Sequence, residues 1–292
     1  MSKLTVAATQ MSCSWDLDAN LQCAEALVRE AARQGAQVIL IQELFETPYF
    51  CIEQDYRHQQ LASSVADNRA VRHMSALARE LEVVLPVSFY EKAGLAFFNS
   101  VAMVDADGSV LGVYRKTHIP NAIGYQEKQY FSPGDTGFKL WDTRFAKIGL
   151  GICWDQWFPE TARCLALMGA EVLLYPTAIG SEPGDDSIDS MQHWQNTMCG
   201  HAAANIMPLV ASNRIGREHA RYSDLEMEFY GSSFIADAFG NRVQTANRSE
   251  QTVLTHSFDL DEIREHRESW GVFRDRRPEQ YRAIATLDGR ID

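Results

Sequence analysis

An α/β domain with mixed sheets and covering helices is what this 292-residue chain predicts, and three observations carry the prediction. Short apolar runs that read as strands alternate with stretches of helical periodicity. Two further apolar runs flank Asp107-Gly108, a strong turn signal, and add an antiparallel hairpin. No repeat, low-complexity tract or linker interrupts the pattern, so residues 1–292 read as one domain.

Leu4 to Gln10 alternates like a strand, and Asp18 to Arg33 carries Leu21, Ala24, Leu27, Val28 and Ala31 at helical spacing, closed by Gly35. Gln37 to Leu44 is a continuous apolar run, as for a strand covered on both faces. Arg69 to Leu81 reads as a helix, Glu82 to Tyr90 as a strand, and Asn99 to Val104 with Val110 to Tyr114 as the hairpin. Thr117 to Gly137 reads as an ordered loop between elements. Phe138 to Trp141 and Ala146 to Ile152 are strands, and Pro159-Glu160 suit the first turn of the helix that follows. Glu171 to Tyr175 is a strand ending at Pro176, Ser181 to Asp189 an acidic loop, Gln192 to Asn205 a helix and Pro208 to Asn213 a strand. Ser232 to Ala236 and Val253 to Phe258 are strands separated by Phe239-Gly240-Asn241, before a helix near Asp261 to Glu268 and an Arg- and Pro-containing tail.

At 46% hydrophobic and 23% charged, the composition is that of a soluble globular protein. No apolar run approaches the roughly 20 residues of a membrane span, and the N-terminus enters a strand pattern with no signal-peptide core. The six cysteines are scattered, without C-x-x-C or zinc-like spacing, which favours reduced thiols in a cytoplasm over a disulfide or metal framework. A net charge of −12 argues against nucleic acid or an anionic membrane as partner and favours a cationic substrate.

Three features bear chemistry. Glu43 closes the buried run QVILIQEL, where a carboxylate is costly unless paired or working; read alone it is a surface acid past a strand end. Arg115-Lys116-Thr117-His118 follows the run VLGVY; read alone it is a solvated basic patch. Cys153 lies where the glycine-spaced run Ile148-Gly149-Leu150-Gly151-Ile152 gives way to a helix; read alone it is a packing thiol. All three sit just past apolar strands, where α/β folds gather their sites. A carboxylate as base, a lysine for the oxyanion and a thiol at an elbow suit nucleophilic attack on a carbonyl carbon.

Taken jointly, ILIQELFETPYF around Glu43, YRKTHIP around Lys116 and GLGICWDQWFPE around Cys153 make the chain resemble the nitrilase (carbon–nitrogen hydrolase) superfamily over nearly its whole length. The resemblance implies a four-layer αββα sandwich, a two-fold interface between copies, and a Glu43–Lys116–Cys153 triad with no metal or organic cofactor. It also implies that the backbone N–H of Trp154 shares the oxyanion with Lys116. In the segment YQEKQYF it places a second active-site acid at Glu127, holding Lys116 and assisting proton transfer; the alternative is a loop carboxylate in a structural ion pair.

Within the superfamily, HIPNAIGYQEKQYFSPGDTGFK, LVASNRIG and ESWGVFRDRRPE resemble the branch that hydrolyses N-carbamoylputrescine to putrescine, CO2 and ammonia. Branches that take carbamoyl amino acids place Arg after Cys-x-Asp to hold a carboxylate, whereas Gln156 and Trp157 stand here. A distal ammonium instead wants carboxylates and aromatic faces. The expectation is that one or two of Glu182, Asp185, Asp186 and Asp189 meet that amine, with Glu182 and Asp186 foremost. Tyr49, Phe50, Trp154 and Trp194 are expected to line the channel for the four-carbon chain. Alternatives of other specificity are a β-ureidopropionase-like or ω-amidase-like hydrolase. An alternative of another class is a catalytically inactive interaction module built on the same fold. A homo-oligomer, dimer or higher, is expected for the hydrolase.

Overall fold

Leu4, Val6 and Ala8 point to one side of the first strand and Ala7 to the other, and that division organises the whole molecule. The computed structural model describes residues 3–183, 185 and 187–291. In chain order its elements are β1 (Lys3–Gln10), α1 (Leu17–Arg33), β2 (Val38–Leu40), α2 (Arg69–Leu81), β3 (Leu85–Ala93), β4 (Ala96–Val104) and β5 (Val110–Arg115). There follow β6 (Leu140–Asp142), β7 (Lys147–Leu150), α3 (Pro159–Met168), β8 (Val172–Pro176), α4 (Met191–Asn205) and β9 (Leu209–Ser212). The last are β10 (Ile215–His219), β11 (Glu226–Tyr230), β12 (Phe234–Ala236), β13 (Arg242–Thr245), β14 (Thr252–Asp259) and α5 (Leu260–Trp270).

One half of the molecule holds the sheets β14-β1-β2 and β3-β4-β5, joined by a parallel bridge between Val38 and Val84. The other half is the six-stranded sheet β13-β12-β9-β8-β7-β6. Period-two alternation sorts their side chains into layers. Val38 and Leu40 of β2 meet Val172 and Leu174 of β8, Val210 of β9 and Ile235 of β12 in the core between the two halves. Ile39 faces the other way, onto α1 and α2 (Leu27, Val28, Met74, Leu77). Leu173, Leu209 and Phe234 face α3 and α4 (Ala162, Leu165, Trp194, Met198). Helix, sheet, sheet, helix is therefore the layer order, which is the expected αββα sandwich.

The termini of the early helices have ordinary causes. Asp16 accepts from Ala19 N at 3.0 Å and starts α1, and Asn68 accepts from Val71 N at 2.9 Å and starts α2. Three expectations need correction. The apolar run 37–44 pairs as a strand only over Val38–Leu40; Ile41 to Leu44 leave the sheet, with Leu44 at φ 49°. β3 runs on to Ala93, turns at Gly94 (φ 63°) and forms a second hairpin with β4. The β10–β11 ribbon was not legible as strands, because Arg217, Glu218, Glu226 and Glu228 mask its alternation. No helix among the described residues is long and apolar enough to cross a membrane. Beyond α5 the tail lies on the surface with Tyr281, Ile284 and Leu287 exposed.

Candidate active site

Lys116 is the hub. Strand alternation separates it from its neighbour: Arg115 turns outward to Glu91 (2.7 Å) and Asp135 (2.8 Å), and Lys116 turns inward and is fully buried. Its Nζ donates to Glu43 Oε1 at 2.9 Å and to both oxygens of Glu127 at 2.8 and 2.7 Å. Burial works against the lysine's charge, but Glu127 and Glu43 outweigh it and hold the ammonium well above its ordinary range. Glu127, carried by a short 3-10 turn (Glu127–Gln129), is also fully buried. Burial pushes its carboxyl up to about 7 against the pull of Lys116, and Tyr49 Oη donates to it at 2.7 Å.

Glu43 stands in the turn that leaves β2. Its Oε1 accepts from Lys116 and, at 2.6 Å, from Asn99 Nδ2, whereas its buried Oε2 has no partner. Asn99, in β4, also accepts Lys116 N at its own carbonyl at 2.8 Å, so one residue aligns Glu43 and Lys116.

Cys153 begins a 3-10 turn (Cys153–Trp157) between β7 and α3, and it carries the elbow's strain itself, at φ 40°. The glycines before it serve close packing. A Cβ on Gly151 would meet Tyr175 Cε1 at 2.7 Å, and one on Gly149 would meet Leu165 and Ala170 at 3.0 Å. Asp155 locks the elbow, and sequence reasoning missed it. Its Oδ2 accepts from Ile152 N (2.9 Å) and Tyr114 Oη (2.7 Å), and its Oδ1 from His118 N (3.0 Å) and Nδ1 (2.7 Å). The turn that carries Cys153 is thereby tied to the segment that carries Lys116. Burial, then Glu43, push the Cys153 thiol well above its ordinary range, with Lys116 pulling the other way. Attack by the sulfur therefore calls for a base to take the thiol's proton. The first amides of a helical turn lack partners within it, which suits Trp154 N to an oxyanion.

Cys153 opens into a cleft of about 110 Å³ lined by Tyr125, Trp154, Trp157, Ala178, Ile179 and Glu182, with Pro120, Asn121, Ala122 and Gln156 completing its wall. Trp154 and Glu182 are therefore where they were expected. Tyr49, Phe50 and Trp194 are not. Tyr49 is buried behind Glu127, Phe50 stacks on Tyr90 in an adjoining cluster, and Trp194 is buried behind Gln156, donating to its Oε1 at 2.8 Å. Their apolar bulk fills the layers around the cleft, a role that residue type alone does not distinguish from lining it.

The acidic loop also divides. Asp185 is exposed and bonded to Ser187, and Asp189 pairs with Arg248. Asp186 lies outside the described residues. Glu182 alone of the expected acids lines the cleft, where burial raises its carboxyl, and no cation pairs with it among the described residues. Among those residues no three His, Cys, Asp or Glu side chains converge as a metal-binding group.

Residues 5–268 match the carbon–nitrogen hydrolase family model. The chain is 56% identical over 288 residues to N-carbamoylputrescine amidase of Solanum lycopersicum, covering 98% of this chain and 96% of that one. It is 51% identical over 284 residues to a citrullinase of Francisella tularensis, covering 97% and 99%. A crystal structure of a carbon–nitrogen hydrolase from Helicobacter pylori superposes with a TM-score of 0.92 at 34% identity, covering 98% of this chain and 99% of that one.

Proposed function

Because the chain belongs to the carbon–nitrogen hydrolase family, we propose that it hydrolyses the terminal ureido group of N-carbamoylputrescine, giving putrescine, CO2 and ammonia. Residues 1–292 then act as one hydrolase domain. Support for the chemistry rests on the free Oε2 of Glu43, an acceptor in a buried cluster whose other charged atoms are paired.

Glu43 Oε2 takes the Sγ proton of Cys153, and the sulfur attacks the ureido carbon. Lys116 Nζ and Trp154 N–H hold the oxygen that becomes negative. The tetrahedral adduct collapses as Glu43 returns the proton to the departing ammonia, leaving an N-alkylcarbamoyl thioester on Cys153. Water gives a proton to Glu43 and its oxygen attacks that carbon. The S–C bond breaks, the thiol recovers its proton, and the released carbamate loses CO2. Glu127 keeps Lys116 charged and aimed throughout.

Glu182 supports the amine-terminated substrate: among the described residues it is the one acid on the cleft wall, which carries no Lys or Arg among them. A second reading, a citrulline-type substrate with ammonium and carboxylate at the far end, is favoured by two donors on that wall. Gln156 Nε2 and Trp157 Nε1 are buried without acceptors. Gln156 is oriented by Trp194, whose indole N–H only donates and so fixes Oε1 towards itself. The test is ammonia release from N-carbamoylputrescine, citrulline and 3-ureidopropionate, side by side. Preference for the first is expected. Preference for citrulline transfers the assignment to the second reading, and preference for 3-ureidopropionate overturns the role of Glu182.

The exposed Tyr281, Ile284 and Leu287 of the tail, with Trp270 at the end of α5, support a homo-oligomer in which a second copy covers them. Sedimentation of the intact chain as a monomer would count against it. Six free cysteines support a reducing, cytoplasmic setting.

A further inference from the structure

Behind the site lies a second buried ion pair that the chemistry above does not use. Arg214, in the stretch between β9 and β10, is fully buried, and Glu218 in β10 is 2% exposed. Arg214 Nη1 donates to the two Glu218 oxygens at 2.8 and 2.9 Å and to Thr47 O at 3.3 Å. Its Nη2 donates to Glu43 O at 2.6 Å and Leu44 O at 3.2 Å. Glu218 Oε2 in turn accepts the backbone N–H of Tyr49, the residue whose hydroxyl holds Glu127.

The reason for a guanidinium here is the departure of residues 41–44 from the sheet. With Leu44 at positive φ, the carbonyls of Glu43, Leu44 and Thr47 converge on one buried point. Buried carbonyls need donors, and converging ones repel unless a cation lies among them. Only a planar fork of N–H groups serves three carbonyls and a carboxylate together; an ammonium has three donors in the wrong arrangement. The pair also packs its carbon skeleton on aromatic faces, with Arg214 Cζ 5.3 Å from the ring centre of Phe229 and 5.9 Å from that of Tyr49.

We propose that Arg214 and Glu218 are positioning residues that grip both glutamates flanking Lys116. Arg214 fixes Glu43 through its own carbonyl, and Glu218 fixes Glu127 through the backbone and hydroxyl of Tyr49. Neither touches substrate. The inference rests on the reading of Glu43 as base and extends it to the layer beneath.

The test compares Arg214→Met/Glu218→Met with wild type. Removing both charges leaves no lone buried ion, although the carbonyls of Glu43, Leu44 and Thr47 and the N–H of Tyr49 lose their partners, so folding is checked by circular dichroism. A slackened base costs kcat about 100-fold while KM stays within about 3-fold, because a displacement near 1 Å is enough for such a loss. The rate at which iodoacetamide alkylates Cys153 falls in parallel, at unchanged circular dichroism. A folded double variant with wild-type kcat and alkylation rate overturns the proposal, as does a rise in KM matching the fall in kcat. Glu218→Gln guards against a double variant that does not fold: it keeps an acceptor for Tyr49 N but weakens the grip on Arg214. A fall in kcat of about 10-fold is expected there, and a wild-type value would reject the role. If wild type released ammonia from none of the three ureides, the proposed function would fail, yet the alkylation rates would still decide on positioning.

Discussion

The floor and the mouth of the cleft are both acidic, and they treat their charges in opposite ways. On the floor Glu43, Lys116 and Glu127 are fully buried and mutually paired, so each charge exists only because of the others. At the mouth Glu182 is half-buried with no cation paired to it among the described residues, whereas Asp185 and Asp189, further along the same loop, are exposed and bonded to Ser187 and Arg248. The floor is a closed set that presents one free oxygen, Glu43 Oε2. Among the described residues the mouth presents one carboxylate without an ion pair, Glu182. The difference teaches that reaction type and substrate choice are separable under the proposed function: the floor would fix what is done to a carbonyl carbon, and the mouth what the far end of the substrate must carry.

Substitutions that break the comparison should fall in effect from Cys153 and the floor, through the mouth, to the outer part of the acidic loop. Cys153→Ala removes the proposed nucleophile and should lower kcat by on the order of 10⁴-fold or more, with circular dichroism and melting temperature unchanged. Residual turnover near wild type would mean that another group attacks. Glu127→Gln keeps the shape but loses a charge beside Lys116, and kcat should fall by about 10- to 100-fold.

The same variant carries a pH signature. Glu127 is pushed up to about 7, so wild-type kcat should rise with pH through that value as the carboxylate forms, and Glu127→Gln should lose that limb. The stability sign runs the other way. A carboxyl raised from 4.5 to about 7 in the folded chain stabilises it fully below 4.5, and that contribution is lost as pH rises through about 7. Melting temperatures at about pH 5 and about pH 8 should therefore converge in the variant relative to wild type. An unchanged slope would place the titration on another group.

Glu182→Gln, at the mouth, should raise KM for the amine-bearing ureide by about 10-fold and leave kcat within about 2-fold, since it removes a charge-assisted contact far from the reacting carbon. A fall in kcat alone would merge mouth and floor. Asp189→Asn, on the rim, should change neither kinetic parameter and should alter stability by less than about 0.5 kcal/mol, because its pair with Arg248 is solvent-exposed. A KM effect comparable to that of Glu182→Gln would show that the mouth uses two acids.

The floor was legible in the sequence because its members close apolar runs. Glu43, Lys116 and Cys153 each follow an apolar run in the sequence, and the structure brings Glu43 and Lys116 into contact across 73 residues of chain. The layers were legible for the same reason, since Val38/Ile39/Leu40 and Leu173/Leu174 alternate between cores. Asn99, Asp155, Arg214 and Glu218 were not. Each is a polar residue whose importance lies in partners far away in sequence, such as Asn99 to Glu43 over 56 residues. Tyr49 and Trp194 were misplaced because an aromatic ring that walls a cleft and one that backs it have the same sequence signature. The β10–β11 ribbon escaped notice because its charged side chains are paired across the strands, as Arg217 is with Glu226 and Glu228, rather than patterned along them.

Three of the six tryptophans gather at the elbow: Trp154 and Trp157 on the cleft wall, 6.2 Å apart, and Trp194 bonded to Gln156 just behind. Trp154 is 40% exposed and Trp194 is fully buried. The site therefore carries its own optical label. A guest in the cleft would shield Trp154 from an aqueous quencher and leave Trp194 untouched, so occupancy would register as a change in the accessible fraction of the emission. Binding of ureides that Cys153→Ala no longer turns over becomes readable by light alone, without dye, isotope or coupled enzyme.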